Sequence, residues 1–271
     1  MSLRSILLHA APDSGFADRL AFAITLARQS GAALKAVYTL HPAGVPQVGR
    51  ALSIYINELM HEAREKEAGI RATFESATAA AGITASWETA PGDVTKELRN
   101  LVSFVDLTIV SETTDGTVDD QLAATLPEHL ALACNGPVVV VPTGKKVPDR
   151  ISRVLIAWKP SREAGHAVRF SIPLLALADE VEVLTVAEDM PKASESGDKL
   201  AAFLATHGVK AKHIHIDAGS ASRTITEEAA AFRADLIVLG AYSRSRIAEM
   251  VLGGVTASML AKPPAALFFA H

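Results

Sequence analysis

Cysteine is nearly absent: Cys134 is the single one in 271 residues, so no disulfide can close within the chain. That excludes a disulfide-stapled secreted scaffold and agrees with a reducing, cytoplasmic setting. Charge of one sign is also lacking. A net charge of −4 excludes broad electrostatic attraction to nucleic acid or to an anionic membrane. No apolar run approaches the roughly 18 residues of a membrane span. The opening run, residues 5–9, is too short for a signal-peptide core and reads as a first β-strand. Aromatic residues make up only 5% of the chain, whereas alanine is abundant, which favours helices packed closely on a sheet over an all-β fold. There is no Ser-His-Asp pattern, no nucleophile elbow and no Walker lysine motif.

What is present is a duplication. Ile6-Leu7-Leu8-His9-Ala10 resembles Val154-Leu155-Ile156-Ala157-Trp158. Each run is followed by a proline, Pro12 or Pro160, and then by a helical stretch, 18–30 or 163–177. The first stretch carries Leu20, Ile24 and Ala27 on one face and stops at Gly31; the second contains Pro173, which should kink or shorten it. Further strand pairs follow: 33–39 with 181–186, 104–110 with 233–239, and 136–141 with 263–269. The last pair is apolar at consecutive positions, as in strands buried on both faces of a parallel sheet.

Each half therefore reads β-α-β-α-β-α-β-α-β, an α/β class with parallel strands and helical crossovers. The seam at 142–150 is polar and contains two prolines and a glycine. It separates a first domain, 1–143, from a second, 151–271. The expectation is two tandem doubly wound domains, each with a five-stranded, mainly parallel sheet. The halves differ at a long amphipathic helix, 51–81, with Leu52, Ile56, Leu59, Ala63, Ile70, Phe74 and Ala77 on one stripe. Glu62–Lys66 and Glu67–Arg71 are spaced for i,i+4 ion pairs. Its counterpart in the second half, 198–207, is much shorter.

The stretch richest in chemistry is Leu239-Gly240-Ala241-Tyr242-Ser243-Arg244-Ser245-Arg246, followed by Leu252-Gly253-Gly254-Val255-Thr256. It follows a buried strand and precedes a helix, 256–261. Ligands of open α/β sheets bind beyond the carboxyl ends of the strands. Gly240 permits a sharp turn, Gly253 and Gly254 expose backbone N–H groups at a helix N-terminus, and Thr256 adds a hydroxyl. Together these form a candidate phosphate cradle.

The spacing Gly240-x2-Ser243-x9-Gly253-Gly254 resembles the G-x2-G-x9-G-[S/T] nucleotide loop of the universal stress protein family. The run from Asp235 to Gly240, the proline closures and the tandem arrangement are similar as well. The resemblance covers nearly the whole chain and implies a fold like that of the adenine nucleotide alpha hydrolases. It also implies an adenine nucleotide ligand, ATP first, and no metal. Two positions depart from the ATP-binding pattern: Ser243 replaces the second glycine, and Gly254 replaces Ser or Thr. Where those relatives carry an Asp after the first strand, the second half has Lys159, which cannot accept a hydrogen bond but can attract a phosphate. The first half has Ala11 there, with Asp13 two residues on.

In the first half the loop, 111–120, contains four carboxylates and no basic residue, and Pro127 stands at about the place of Gly254. It reads as a solvated acidic loop; the alternative, a Ca²⁺ site, lacks EF-hand spacing. His213, His215 and Asp217 share one face of a strand and read as the polar face of an edge strand, with a Zn²⁺ site as the alternative. Cys134 reads as a structural thiol.

The expected function is stress response or regulation through one adenine nucleotide bound in the second domain, without a dedicated reaction. The expected contacts are Val186, Lys159, Leu239, Gly240, Tyr242, Ser243, Gly253, Gly254, Val255 and Thr256. The alternative is a nucleotide-independent, pseudo-dimeric interaction protein. A homodimer or another protein partner is compatible with either; nucleic acid and membrane partners are not expected.

Overall fold

The structure, a computed structural model, describes residues 2–41, 52–112, 126–133, 136–187, 193–217, 219–241 and 254–270. The first half contains β1 (Ser5–Ala10), α1 (Phe16–Ser30), β2 (Ala33–His41), α2 (Leu52–Ala81), β3 (Ala85–Asp93), α3 (Val94–Leu101), β4 (Leu107–Ser111), α4 (Leu126–Ala133) and β5 (Val138–Val141). The second half contains β6 (Arg153–Ala157), α5 (Arg162–Leu175), β7 (Glu180–Val186), α6 (Ala193–Thr206), β8 (Ala211–Ile216), α7 (Ala221–Phe232), β9 (Leu236–Gly240), α8 (Val255–Ala261) and β10 (Ala266–Ala270). Each half is an α/β unit whose five strands are all parallel, as the sequence predicts.

The two sheets are not separate. β5 and β10 pair antiparallel, with Val139 opposite Phe268, and fuse the halves into one ten-stranded sheet of order β3-β2-β1-β4-β5-β10-β9-β6-β7-β8. The expectation of five mainly parallel strands in each half holds, and the edge-to-edge joining of the two sheets adds to it. The reason lies in the joining strands, whose described residues are buried on both faces: a strand of that kind cannot stand at a solvated edge. The core accordingly runs in two layers across the junction. One layer joins Leu8, Phe22 and Phe74 to Val139, Phe268, Val168 and Leu204; the other joins Leu7 and Leu98 to Val140, Leu267, Phe269 and Ile225.

The repeat extends to single hydrogen bonds. Asp106 Oδ2 accepts from the amides of Arg4 and Ser5 at 2.8 and 2.9 Å. Asp235 Oδ2 accepts from the amides of Ser152 and Arg153 at the same two distances. Each aspartate starts its half's central strand pair by clamping the amino end of the neighbouring strand, and Ser5 thereby corresponds to Arg153. Across the junction, Gln29 at the end of α1 donates to the carbonyls of Ile151 and Leu177 and accepts from the Ile151 amide. Lys145 in the seam donates to the carbonyls of Pro263 and Pro264.

Local signals in the helices are mostly kept. α1 ends at Gly31, which takes the left-handed conformation with φ of 73°. Pro173 falls in the last turn of α5, which ends at Leu175. Ser161 caps α5, accepting from the Ala164 amide at 3.2 Å. On α2, Phe74 is buried and Ile70 and Ala77 pack against the core, while the Glu62–Lys66 pair forms at 3.4 Å. The hydrogen bond of Arg71 goes to Glu75 rather than to Glu67; the Glu67 carboxylate accepts from Trp87 and Thr89 on β3. The indole and hydroxyl of a neighbouring strand are less mobile partners than an exposed arginine.

One polar cluster lies inside the first half. Arg19 is fully buried and donates to the carbonyl of His9 at 2.6 Å, to Ser111 Oγ at 2.9 Å and to Asp13, with its guanidinium 5.4 Å from the Phe16 ring centroid. His9 is buried beside it. Its pKa is held well below the usual 6.5, first by desolvation and then by the Arg19 charge.

Two outcomes follow for stability. Asp235→Ala leaves two strand amides without their ionised acceptor and is expected to cost about 1.5–3 kcal/mol, with Asp235→Asn costing less. Urea midpoints of the two variants measure this, and an unchanged midpoint for Asp235→Ala would contradict the clamp. Because His9 is neutral when folded but takes a proton when unfolded below about pH 6.5, its contribution is complete above that pH. It declines as the pH falls, by about 1.4 kcal/mol per unit, until the lowered folded pKa is reached. His9→Leu should therefore show a flatter acid limb in stability against pH; parallel limbs for variant and wild type would refute this.

Candidate functional site

The described candidate residues lie at one end of the second half's strands. Ile156 pairs with Val238 and Ala157 with Leu184, and the Trp158 amide donates to the Leu184 carbonyl at 2.8 Å. Val186 and Gly240 therefore end β7 and β9, and Lys159 follows β6 by two residues, all at the carboxyl side of three neighbouring strands. This is the reversal point of strand order, where α/β sheets open a crevice. Lys159 is exposed and Val186 half-buried, whereas Leu239 is buried in the core. Gly254 and Val255 are half-buried at the start of α8; Gly254 stands at the N-cap, where no side chain caps the helix. Thr256 is buried. Tyr242, Ser243 and Gly253 lie outside the described residues, as do Arg244, Arg246 and Cys134.

Gly240 has a packing role that the sequence does not announce. Its backbone is that of a strand, and a Cβ there would stand 2.5 Å from the Ala164 amide nitrogen. The first turn of α5 thus lies directly on β9. In the first half the small residue is on the other partner: Gly15, before α1, faces Ser111 at the end of β4, and a Cβ on Gly15 would stand 2.7 Å from that of Ser111. The helix start closes on the sheet in both halves, with the glycine exchanged between helix and strand.

The two crevices differ in what fills them. With Ser5 matched to Arg153, Arg19 corresponds to Ala167, and with Asp106 matched to Asp235, Ser111 corresponds to Gly240. The first half thus places a buried guanidinium among the ends of β1 and β4, held by the His9 carbonyl, Asp13 and Ser111. The second half has a buried methyl group at the same position. The seam adds a cover to the first half. The Thr143 amide donates to Glu112 at 2.6 Å, and the Gly144 amide donates to Asp18 at 2.7 Å. Burial raises the Glu112 pKa most, the Thr143 amide and Lys145 act against it, and Asp18 adds to the rise. Of the acidic loop, 111–120, residues 113–120 lie outside the described residues.

Sequence reasoning missed Arg19. The signal available was an arginine beside the apolar stripe of α1 with an aspartate six residues before it, a spacing without a standard motif. Among the described residues, no three His, Cys, Asp or Glu side chains are grouped to hold a metal ion, and no helix is long and apolar enough to cross a membrane.

Comparison with known proteins bears on the fold and on the second half. A universal stress protein from Archaeoglobus fulgidus DSM 4304 superimposes with a TM-score of 0.78 over 99% of this chain and 96% of its own, at 18% identity. A functionally unknown protein from Pseudomonas aeruginosa PAO1 superimposes with a TM-score of 0.57 over 99% and 92%, at 19% identity. At such identities the likeness establishes the shared fold. No curated protein matches the sequence. The family model described as the universal stress protein family matches residues 150–268. That span begins at the seam and covers the strands from β6 into β10 with the crevice between β6 and β9, so it is the second half of the chain that is similar to the universal stress protein family.

Proposed function

We propose that the chain binds one adenine nucleotide, ATP first among them, at the carboxyl end of its second half, and that it acts in stress response or regulation without a dedicated reaction. The observation that carries this reading is the asymmetry of the two crevices. Arg19 and Ser111 occupy the first, whereas Ala167 and Gly240 stand at the equivalent points of the second. The match of residues 150–268 to the universal stress protein family model and the glycine spacing that ends at Gly253 and Gly254 support the same half.

In this reading the phosphates meet the backbone N–H groups of Gly253, Gly254 and Val255 at the start of α8, where the helix dipole favours an anion. The Thr256 hydroxyl assists. The nucleoside lies near Val186 and Lys159, with Leu239, Gly240, Tyr242 and Ser243 forming the floor and turn. Lys159 supplies charge to the ligand and no acceptor, so affinity rests on the phosphates more than on the base.

Calorimetry on nucleotide-stripped protein tests the assignment. One site per chain is expected, with binding abolished by Gly253→Val, which crowds the backbone approach, and nearly unchanged by Asp119→Ala. Two equivalent sites, or binding that survives Gly253→Val, would overturn it. Absence of binding by ATP, ADP and AMP at about 1 mM, a concentration that detects even about −4 kcal/mol, would leave the nucleotide-independent interaction protein as the reading. Steady ATP turnover is expected to stay below about 1 s⁻¹, the low end of enzymes. Faster turnover that persists through repurification would make the chain a hydrolase.

A further inference from the structure

The carboxyl end of the first half holds a fixed cation and an anion that do not fit each other fully. β1 and β4 part there: their pairing ends at Leu8 with Ile109, although β1 runs to Ala10 and β4 to Ser111. The Arg19 guanidinium, fully buried, reaches into this end. Much of what holds it is not an acid. Nε donates to the His9 carbonyl at 2.6 Å, Nη2 to the Ala11 carbonyl at 3.4 Å and Nη1 to Ser111 Oγ at 2.9 Å. The Phe16 ring centroid lies 5.4 Å from the guanidinium carbon. Two backbone carbonyls, a hydroxyl and an aromatic face thus fix the cation independently of its counter-charge.

That counter-charge is Asp13, whose side chain is only 4% exposed. Its Oδ1 accepts both from Arg19 Nη1 and from the Gly15 amide, the latter at 3.1 Å. Its Oδ2 is buried and accepts from no described residue. A carboxylate free to orient itself on a guanidinium uses both oxygens in parallel. Asp13 uses one, and its tether through residues 11–15 sets its angle of approach. Near Gly15 stands a second unused group. Thr143 Oγ1 is buried without a partner among the described residues, 2.9 Å from the point that a Cβ on Gly15 would take. The guanidinium, the Gly15 amide and the Thr143 hydroxyl are together the donor set of an anion site. We propose that the carboxyl end of the first half is an anion-binding site occupied by the chain's own Asp13, an internal ligand that keeps free carboxylates out.

The second half supports reading the two groups as receptor and ligand, because it lacks both together. By the match that pairs Pro12 with Pro160, Ser161 stands for Asp13 and Ala167 for Arg19. The surrounding charges explain why the site is closed to a free anion while Asp13 is in place. The guanidinium is then neutralised. Asp18 and Glu112 accept from the seam amides of Gly144 and Thr143 and add negative charge on that side. Lys145 in the seam is turned to the carbonyls of Pro263 and Pro264. A second anion would therefore meet three carboxylates against one arginine. Without the Asp13 carboxylate, the guanidinium would be a buried charge with no opposite charge in contact, which is strongly unfavourable. A small planar anion restores the contact. The ligand class is a monovalent carboxylate no larger than the acid it replaces, with formate as the smallest.

The site is independent of nucleotide binding and is tested without it. Asp13→Ala removes the internal ligand from the full-length chain. Thermal unfolding is followed in sodium formate and in sodium chloride of equal ionic strength, for wild type, Asp13→Ala and the double variant Asp13→Ala/Arg19→Met. Formate is expected to raise the midpoint of Asp13→Ala alone, by about 3 °C at ten times its dissociation constant. Saturation transfer from protein to the formate C–H proton should appear with that variant and be lost with the other two proteins. Equal responses of Asp13→Ala and the double variant would overturn the proposal. So would formate binding to wild type as tightly as to Asp13→Ala, because Asp13 would then not occupy the site. If Asp13→Ala does not fold in chloride, its recovery in formate counts as binding. If it folds in neither salt, Asp13→Ser, the side chain that the second half carries at Ser161, takes its place under the same criteria.

Discussion

The fold depends on the antiparallel pairing of β5 with β10. Each of these strands is the last of its half and is covered by helices on both faces, so each would present a bare edge of amides and carbonyls if the halves stood apart. Pairing Val138, Val139 and Val140 with Phe269, Phe268 and Leu267 satisfies those edges. It also extends two apolar layers without interruption from α1 and α2 to α5 and α6 on one side, and from α3 and α4 to α7 and α8 on the other. The unit that buries its core is the whole chain.

That arrangement frees the two crevices to differ. A fold held at its centre does not need both carboxyl ends to perform the same task. In the first half, Arg19 donates its hydrogen bonds to strand ends whose counterparts in the second half border an open crevice, and the seam folds back over Glu112 and Asp18. The buried pair of Arg19 with Asp13 balances its charges locally through Asp13 Oδ1, while Asp13 Oδ2 is buried without a hydrogen-bond partner among the described residues. The second half keeps small residues, Ala167 and Gly240, at the matching points.

Much of the fold was legible because it rests on short-range patterns. The repeated hydrophobic runs, Gly31, Ser161 and the proline-bearing seam mark elements through local chemistry, and Asp106 and Asp235 fall at matching places in the repeated runs. The joining of the sheets was legible only indirectly: an all-apolar strand states that both faces are covered but does not name its neighbour. Side-chain partners across elements were the hardest to read. Glu67 bonding to β3 instead of Arg71, Arg19 reaching Ser111 ninety-two residues away, and Thr185 standing between two histidines all depend on register and helix placement. β8 is the edge strand that His213, His215 and Asp217 suggest, yet its two rings face α6 and Thr185 rather than outward, and their partners Asp198 and Thr185 come from a different helix and strand. For the candidate site, Lys159, Val186 and Gly240 gather as the strand order requires, while the packing of Gly240 on Ala164 needed coordinates.

Gln29 shows what a covalent tandem allows. By the match of Ser5 to Arg153, its counterpart is Leu177, the residue whose carbonyl it bonds, so the contact lies on the pseudo-two-fold axis between the halves. In a dimer of identical copies, a residue on the axis meets itself and must be self-complementary. Here an amide meets a leucine carbonyl on one side and both polar groups of Ile151 on the other, a lock and a key of different chemistry. One half can therefore change its side chains at the axis without imposing the same change on its partner, and an exchanged pair built from two first halves would lack the complementary surface.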